Sequence, residues 1–144
     1  MEAAELKVGH DVDPGPLYAL YEAVGWTAYT RDPARLREAV RNSTWVATLW
    51  QEGTLVGLVR VVSDDVSIAW LQDILVHPDH QRAGLGRRLA HAALERFAHV
   101  RSFALMTDDE PRQHAFYASL GLQETRAAHG GRLHTFVRMT KGRP

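Results

Sequence analysis

The stretch from Ser67 to Val100 constrains the fold more than any other part of the chain, because it joins a strand-like run to an amphipathic helix through a glycine-bearing turn. Ser67 to Val76 is rich in β-prone side chains and ends at His77-Pro78, where proline has no N–H to give to a ladder. From Leu85 to Val100 the residues Leu85, Leu89, Ala90, Ala93, Leu94 and Phe97 gather on about half of the helix circumference at roughly 100° per residue. Arg87, Arg88, His91, Glu95 and His99 fill the opposite, solvated arc. A helix with that stripe needs a sheet to cover. The apolar run Ser102 to Met106 then predicts a strand parallel to the first, reached by a right-handed crossover.

The rest of the chain supplies the remaining layers. A strand is predicted around Leu6 to Val8. Asp13-Pro14 and Asp32-Pro33 are both helix-start signals, leading into helices that stop at Gly25 and near Asn42-Ser43. Trp45 to Trp50 and Leu55 to Val62 read as an antiparallel hairpin through Gln51-Glu52-Gly53-Thr54, and Ser63-Asp64-Asp65 turns the chain into the Ser67 strand. Arg112 to Leu120 is a helix ended by Gly121, and Leu122 to Arg126 and Leu133 to Met139 are expected to form a second hairpin through Gly130-Gly131. The fold class is therefore α/β: a mixed, mainly antiparallel central sheet flanked by helices on both faces. No repeat or linker interrupts the pattern, so residues 1–144 are expected to form one domain.

Composition narrows the chemistry. Lys plus Arg and Asp plus Glu number 17 each, so no net field recruits nucleic acid and any anion site has to come from local geometry. With no cysteine there is no disulfide, no thiolate metal site and no cysteine nucleophile. No apolar run approaches the roughly 18 residues that span a bilayer, and Met1 to Gly9 lacks a signal pattern, so the expectation is a cytoplasmic protein without membrane contact.

Gln81-Arg82-Ala83-Gly84-Leu85-Gly86 sits between the strand and the helix. Glycines let backbone N–H groups approach a ligand closely, and the first helical turn aims unpaired donors and positive dipole outward, which suits a pyrophosphate. Arg82, Arg87 and Arg88 add cationic charge nearby. A tight turn with solvated arginines is the other reading. A dinucleotide fold fits less well, since the glycine turn follows an antiparallel meander and lacks G-x-G-x-x-G spacing.

The run Ile74-Leu75-Val76-His77-Pro78-Asp79-His80-Gln81-Arg82-Ala83-Gly84-Leu85-Gly86 resembles the acetyl-CoA motif of the GNAT superfamily, Gln/Arg-x-x-Gly-x-Gly/Ala after an extended strand. Ala115 to Leu122 resembles the same family's Leu-Tyr-x-x-x-Gly-Phe segment, and the likeness extends over nearly the whole chain. The resemblance implies the acyl-CoA N-acyltransferase fold and an acetyl-CoA-dependent N-acetyltransferase. Backbone groups of Ile74, Leu75 and Val76 would hold the acetyl carbonyl and pantetheine, and amides of Gln81, Arg82, Ala83, Gly84, Leu85, Gly86 and Arg87 the pyrophosphate. One departure stands out: the position seven before Tyr117, often Asn in the family, is Glu110, so that contact is not carried over.

Without a cysteine, direct attack of an amine on the thioester in a ternary complex is expected. Tyr117 is the candidate acid for the departing thiolate, a role that the resemblance implies, against a plain core aromatic. Asp73 is the first candidate base, being a carboxylate within a strand, where Asp is uncommon. Alternation puts it with Leu75 on one face and Gln72, Ile74 and Val76 on the other. A structural ion pair is its alternative role. Asp108 and Asp109 come second, and His134 third. His77, Asp79 and His80 lie on one short loop without a further ligand cluster, so no metal is expected.

The acceptor is expected to be a small-molecule or peptide amine, met by Trp26 and Tyr29, with Tyr21 nearby, on one side and a basic final hairpin with Arg126, His129, Arg132 and His134 on the other. Asp73, Asp108 and Asp109 around the acetyl end would favour its cationic form before deprotonation. A homodimer is compatible with the exposed aromatic surface, although no heptad is legible. The competing readings are an acyl-CoA-binding sensor without catalysis, and transfer of a longer acyl group.

Overall fold

The computed structural model describes residues 3–139. Packing divides the chain into two units, one ending at Leu105 and one beginning at Met106. The first carries β1 (Glu5–Val8), α1 (Pro14–Ala23), α2 (Thr27–Thr30), α3 (Pro33–Arg41), β2 (Trp45–Gln51), β3 (Thr54–Ser63), β4 (Ile68–Val76), α4 (Leu85–Arg96) and β5 (Ser102–Ala104). The strands form one sheet in the order β1-β2-β3-β4-β5, antiparallel except for the β4–β5 pair. This is the mixed, mainly antiparallel sheet that the sequence pattern predicts.

The helix starts follow their local chemistry. At α3 the Asp32 carboxylate accepts from the Arg35 N–H at 3.2 Å while Pro33 occupies the first turn, where its missing donor costs nothing. Gly25, at φ +78°, stops the α1 region. The segment after it, an unassigned connection in the sequence pattern, makes the single turn α2. At the other end of the unit, α4 stops at Arg96 rather than Val100, since the Val100 N–H turns back to the Phe97 carbonyl.

Helices cover both faces of the sheet. Leu89 and Ala93 of α4, with Phe97 at its C-cap, bury against Trp45, Ala47, Leu49, Val59, Val61, Ala69 and Leu71. On the opposite face Leu17, Leu20 and Tyr21 of α1 and Leu36 and Val40 of α3 pack on Val46, Leu55, Leu58 and Leu75. Gly57 lets α4 sit close, because a Cβ there would stand 3.0 Å from Leu89 Cδ1. That close approach seats Leu89 of α4 directly on β3.

The second unit holds α5 (Pro111–Ser119), closed at Gly121 with φ +89°. The expected hairpin of Leu122 to Arg126 with Leu133 to Met139 does not form: among the described residues this region contains no strand. Local bonds take its donors instead. The Glu124 carboxylate accepts from the Arg126 backbone and Nε at 2.9 Å each, and the Glu124 carbonyl accepts from Ala127 and Ala128. Gly130 and Gly131 then follow with φ of +65° and +74°, inside a 3-10 turn. No helix among the described residues is long and apolar enough to cross a membrane.

Candidate active site

Among the described residues, the edge of β4 is unpaired for most of its length. It pairs with β5 only over Ile68–Trp70, whereas its pairing with β3 runs from Ala69 to Val76. Among the described residues, β4 therefore has no strand partner on the β5 side from Leu71 onward, which leaves main-chain donors and acceptors facing outward. Where this stretch begins, the register slips: Val61 lies opposite Leu71 and Arg60 opposite Asp73, so Gln72 is an extra residue in a bulge. The slip re-aims the strand. Leu71 belongs to the α4 core, whereas Asp73 turns toward α1 with Leu75, and Ile74 and Val76 return to the α4 side.

Asp73 is 3% exposed and meets donors from three separate elements. Its Oδ2 accepts from Tyr21 Oη at 2.9 Å and from Arg60 Nε at 2.5 Å, and its Oδ1 accepts from Tyr29 Oη at 3.0 Å. Arg60, itself buried, also donates to Ser43 Oγ and to Tyr29 Oη, both at 3.3 Å. Burial opposes the Arg60 charge, but Asp73 and then Tyr21 outweigh it and hold the guanidinium protonated. Burial first, and the Asp73 charge second, raise the phenols of Tyr21 and Tyr29 above the ordinary tyrosine range, so both stay protonated donors at neutral pH. Around them Tyr21 meets Trp26 and Tyr29 edge-on at 5.9 and 5.2 Å between centroids, and Trp26 leans on Tyr29 at 6.2 Å.

The far end of β4 has a different make-up. Gln81 Nε2 reaches back to the Val76 carbonyl at 3.2 Å and ties the turn to the strand end. Arg82 takes φ +65° and Gly84 φ +78°, so two left-handed residues bracket Ala83 and curl the chain into α4. Alternation of this kind makes a concave nest of N–H groups. Gly84 is the helix N-cap and brings no side-chain acceptor to the first turn of α4. Gln81, Arg82, Ala83, Gly84 and Arg87 are exposed, while Leu85 and Gly86 are half-buried. Arg88 is not part of this group: its guanidinium donates to the Ala4 carbonyl at 2.5 Å.

His77 and His80 cap and pack the preceding turn, with the Asp79 N–H donating to His77 Nδ1 at 3.1 Å and the two rings meeting edge-on at 5.6 Å. Among the described residues no three His, Cys, Asp or Glu side chains converge to hold a metal ion.

An extended strand followed by a glycine-bearing turn into a helix is what the resemblance implied; the bulge and the open edge are added by the structure. Residues 13–122 match the Acetyltransferase (GNAT) family. The chain belongs to that family. Among its GNAT relatives, it is 30% identical over 109 residues to an uncharacterized N-acetyltransferase, ycf52, of Pyropia yezoensis, covering 73% of this chain and 62% of that protein. It spans about half to two thirds of the length of the curated relatives it matches first. Among solved structures it superposes with a TM-score of 0.83 on the GNAT family protein SP0256 of Streptococcus pneumoniae TIGR4, at 26% identity, over 96% of this chain and 98% of that one. It shares its fold, at TM-score 0.69 and 14% identity over 96% and 97%, with the aminoglycoside N-acetyltransferase AAC(6')-Iy in complex with CoA.

The second unit of this GNAT chain carries the other expected site residues. Tyr117 is half-buried on α5, packs edge-on against Phe116 at 5.1 Å, and has its phenol raised by burial. Its main-chain carbonyl accepts from Leu122 in the helix-ending turn. Asp108 and Asp109 are exposed before α5, and Asp109 lies 3.2 Å from His114 Nε2. His134 is exposed in the segment that lacks a strand. Within the first unit, Trp26 and Tyr29 come together as expected, and Asp73 joins them. Arg60 and the anchoring role of Tyr21 were missed. The signal was a lone Arg in the apolar run Leu55 to Val62 beside a lone Asp in the next strand, two opposite charges that an antiparallel pairing can bring face to face.

Proposed function

We propose that this chain transfers the acetyl group of acetyl-CoA directly to a primary amine in a ternary complex, with residues 1–144 working as one catalytic domain. The observation that carries this reading is the succession, along one strand and the turn after it, of an open edge from Leu71 to Val76 and a left-handed nest from Arg82 to Gly84 at the start of α4. An acyl-CoA has matching parts in that order: an amide-rich pantetheine arm for a strand edge and a pyrophosphate for a helix N-terminus. The fold shared with a CoA-bound aminoglycoside N-acetyltransferase supports a CoA thioester as donor and an amine as acceptor.

In this reading amides of Gln81 to Arg87 hold the pyrophosphate, and Ile74, Leu75 and Val76 pair with the pantetheine. An amide near Leu75 or Val76 donates to the carbonyl oxygen as it gains charge. The neutral amine attacks the carbonyl carbon, the C–S bond breaks, the thiolate takes the Tyr117 proton, and the proton shed by the new amide nitrogen passes to water, from which the Tyr117 phenolate is reprotonated. Burial keeps that phenol protonated at neutral pH, as an acid requires. Exposed Asp108 and Asp109 attract the amine in its cationic form, Trp26 and Tyr29 receive its carbon frame, and Asp73 contributes through the network it shares with Arg60.

A free-thiol assay with acetyl-CoA across a panel of primary amines tests the proposal. Turnover with at least one amine is expected, and Tyr117→Phe should lower kcat by roughly a hundredfold while the affinity for acetyl-CoA holds. Tight acetyl-CoA binding with no thiol released by any amine would instead indicate a binding module.

A further inference from the structure

The carboxylate expected to act as base is 3% exposed, and Arg60, Tyr21 and Tyr29 occupy three of its roughly four acceptor positions. An amine cannot reach it without dismantling the cluster. Its donors come from 13, 44 and 52 residues away, on β3, α2 and α1. One of these elements has little stability of its own: α2 is a single turn, Thr27–Thr30, and an isolated turn this short does not hold. Tyr29 in α2 is fastened at its hydroxyl, donating to Asp73 and accepting from Arg60, while its ring and that of Trp26 stay partly exposed.

We infer that Asp73, locked by Arg60, is a positioning residue: through Tyr29 and Tyr21 it holds α2 and the Trp26–Tyr29 wall beside the Gln72 bulge, where that wall orients an amine whose carbon frame packs on an aromatic face. The inference rests on the acetyl-transfer reading for the identity of the substrate, but the anchoring stands on the bonds themselves. The bulge supplies the geometry. It turns Asp73 toward α1 and α2 at the point where the open edge of β4 begins, so one carboxylate relates the acceptor wall to the strand that would carry the thioester. The raised phenols of Tyr21 and Tyr29 fit this role, because an anchor must remain a donor throughout the working pH range.

The test compares Tyr29→Phe, Asp73→Asn and the double variant, using an amine that the unaltered chain turns over. Each single variant should raise the amine KM roughly tenfold, leave the acetyl-CoA KM within about twofold, and keep the acidic limb of the kcat/KM profile. The double variant should be little worse than either single one, since both break the same link. Loss of the acidic limb in Asp73→Asn with an unchanged amine KM would make Asp73 the base and overturn the inference. Should Asp73→Asn fail to fold, Tyr29→Phe decides alone, and an unchanged amine KM there overturns it. Should no amine be turned over, the acetyl-transfer reading fails separately and Trp26 reports instead. Its emission, isolated by subtracting Trp26→Phe counterparts, should shift in Tyr29→Phe, and an unmoved emission overturns the anchoring.

Discussion

At the bulge, side chains from β3, β4, α1 and α2 meet around the Asp73 carboxylate, whereas at Arg82–Gly84 the backbone dihedrals of the chain itself make the shape. The two lie within a dozen or so residues of each other on one strand and its turn. They fail in different ways. A buried ionic cluster is intolerant of losing one partner, because the remaining charge is stranded out of water. A backbone nest keeps its shape when exposed side chains are exchanged, but not when the dihedrals that aim its N–H groups change.

The largest expected effect breaks the first half of this contrast. Arg60→Met removes the cation facing Asp73 and should cost about 3–5 kcal/mol in urea unfolding, as expected for a broken buried pair. If that variant is as stable as the parent, the cluster is not the intolerant end.

Gly84→Val tests the nest. At φ +78° a β-branched residue is strained by about 1–3 kcal/mol, and the N–H groups of the turn should swing away. Calorimetry should show the affinity for acetyl-CoA falling by at least roughly tenfold, equivalent to about 1.4 kcal/mol. Affinity that survives the substitution would move the pyrophosphate site elsewhere.

Gly57→Ala sharpens the contrast by disturbing the support of the nest while leaving both features intact. The added Cβ meets Leu89 Cδ1 at 3.0 Å, so α4 must lift or Leu89 must rotate, at a cost of about 1–3 kcal/mol in thermal unfolding. Acetyl-CoA affinity should fall in step, with the Tyr29 hydroxyl bonds unaffected.

The smallest effect comes from an exposed counterpart of the Asp73 pair. Asp65, in the turn before β4, is bonded by Arg96 Nη1 and Nη2 at 2.9 and 2.7 Å, with His99 Nε2 at 2.8 Å. Its hydrogen bonds to Arg96 hold its carboxyl at about 2. A depressed carboxyl stabilises the fold fully above its ordinary value near pH 4 and loses that contribution as pH falls from about 4 toward 2. Asp65→Asn should therefore narrow the gap between urea midpoints measured at pH 5 and pH 3, by much less than Arg60→Met moves the midpoint at pH 7.

The same contrast explains what the sequence revealed. The nest was legible because its determinants are contiguous: two glycines, a strand stopped by Pro78, and a helical stripe from Leu85. Asp73 stood out as a carboxylate in a strand, but its partners are scattered over Tyr21, Tyr29 and Arg60, and spacing along a chain carries no record of which distant donors converge. The Gln72 bulge left no trace either, since one added residue in a strand is invisible until its neighbour is aligned. The late hairpin was misread for a related reason. Leu133 to Met139 has strand-forming residues, yet strand formation needs a partner edge, and the local bonds at Glu124 turn the chain before Gly130. Tyr117 was found through its motif rather than its surroundings, and Glu110 at the start of α5 shows that the motif is not reproduced at every position.

Arg82 brings two demands into conflict at one Cα. Its backbone sits where glycine is comfortable, yet its side chain places a cation beside the turn that would receive a pyrophosphate. Variants at this position should therefore sort differently by melting temperature and by ligand affinity. A screen rewarding heat resistance alone would drift toward glycine or asparagine, and would discard the charge that makes the turn useful.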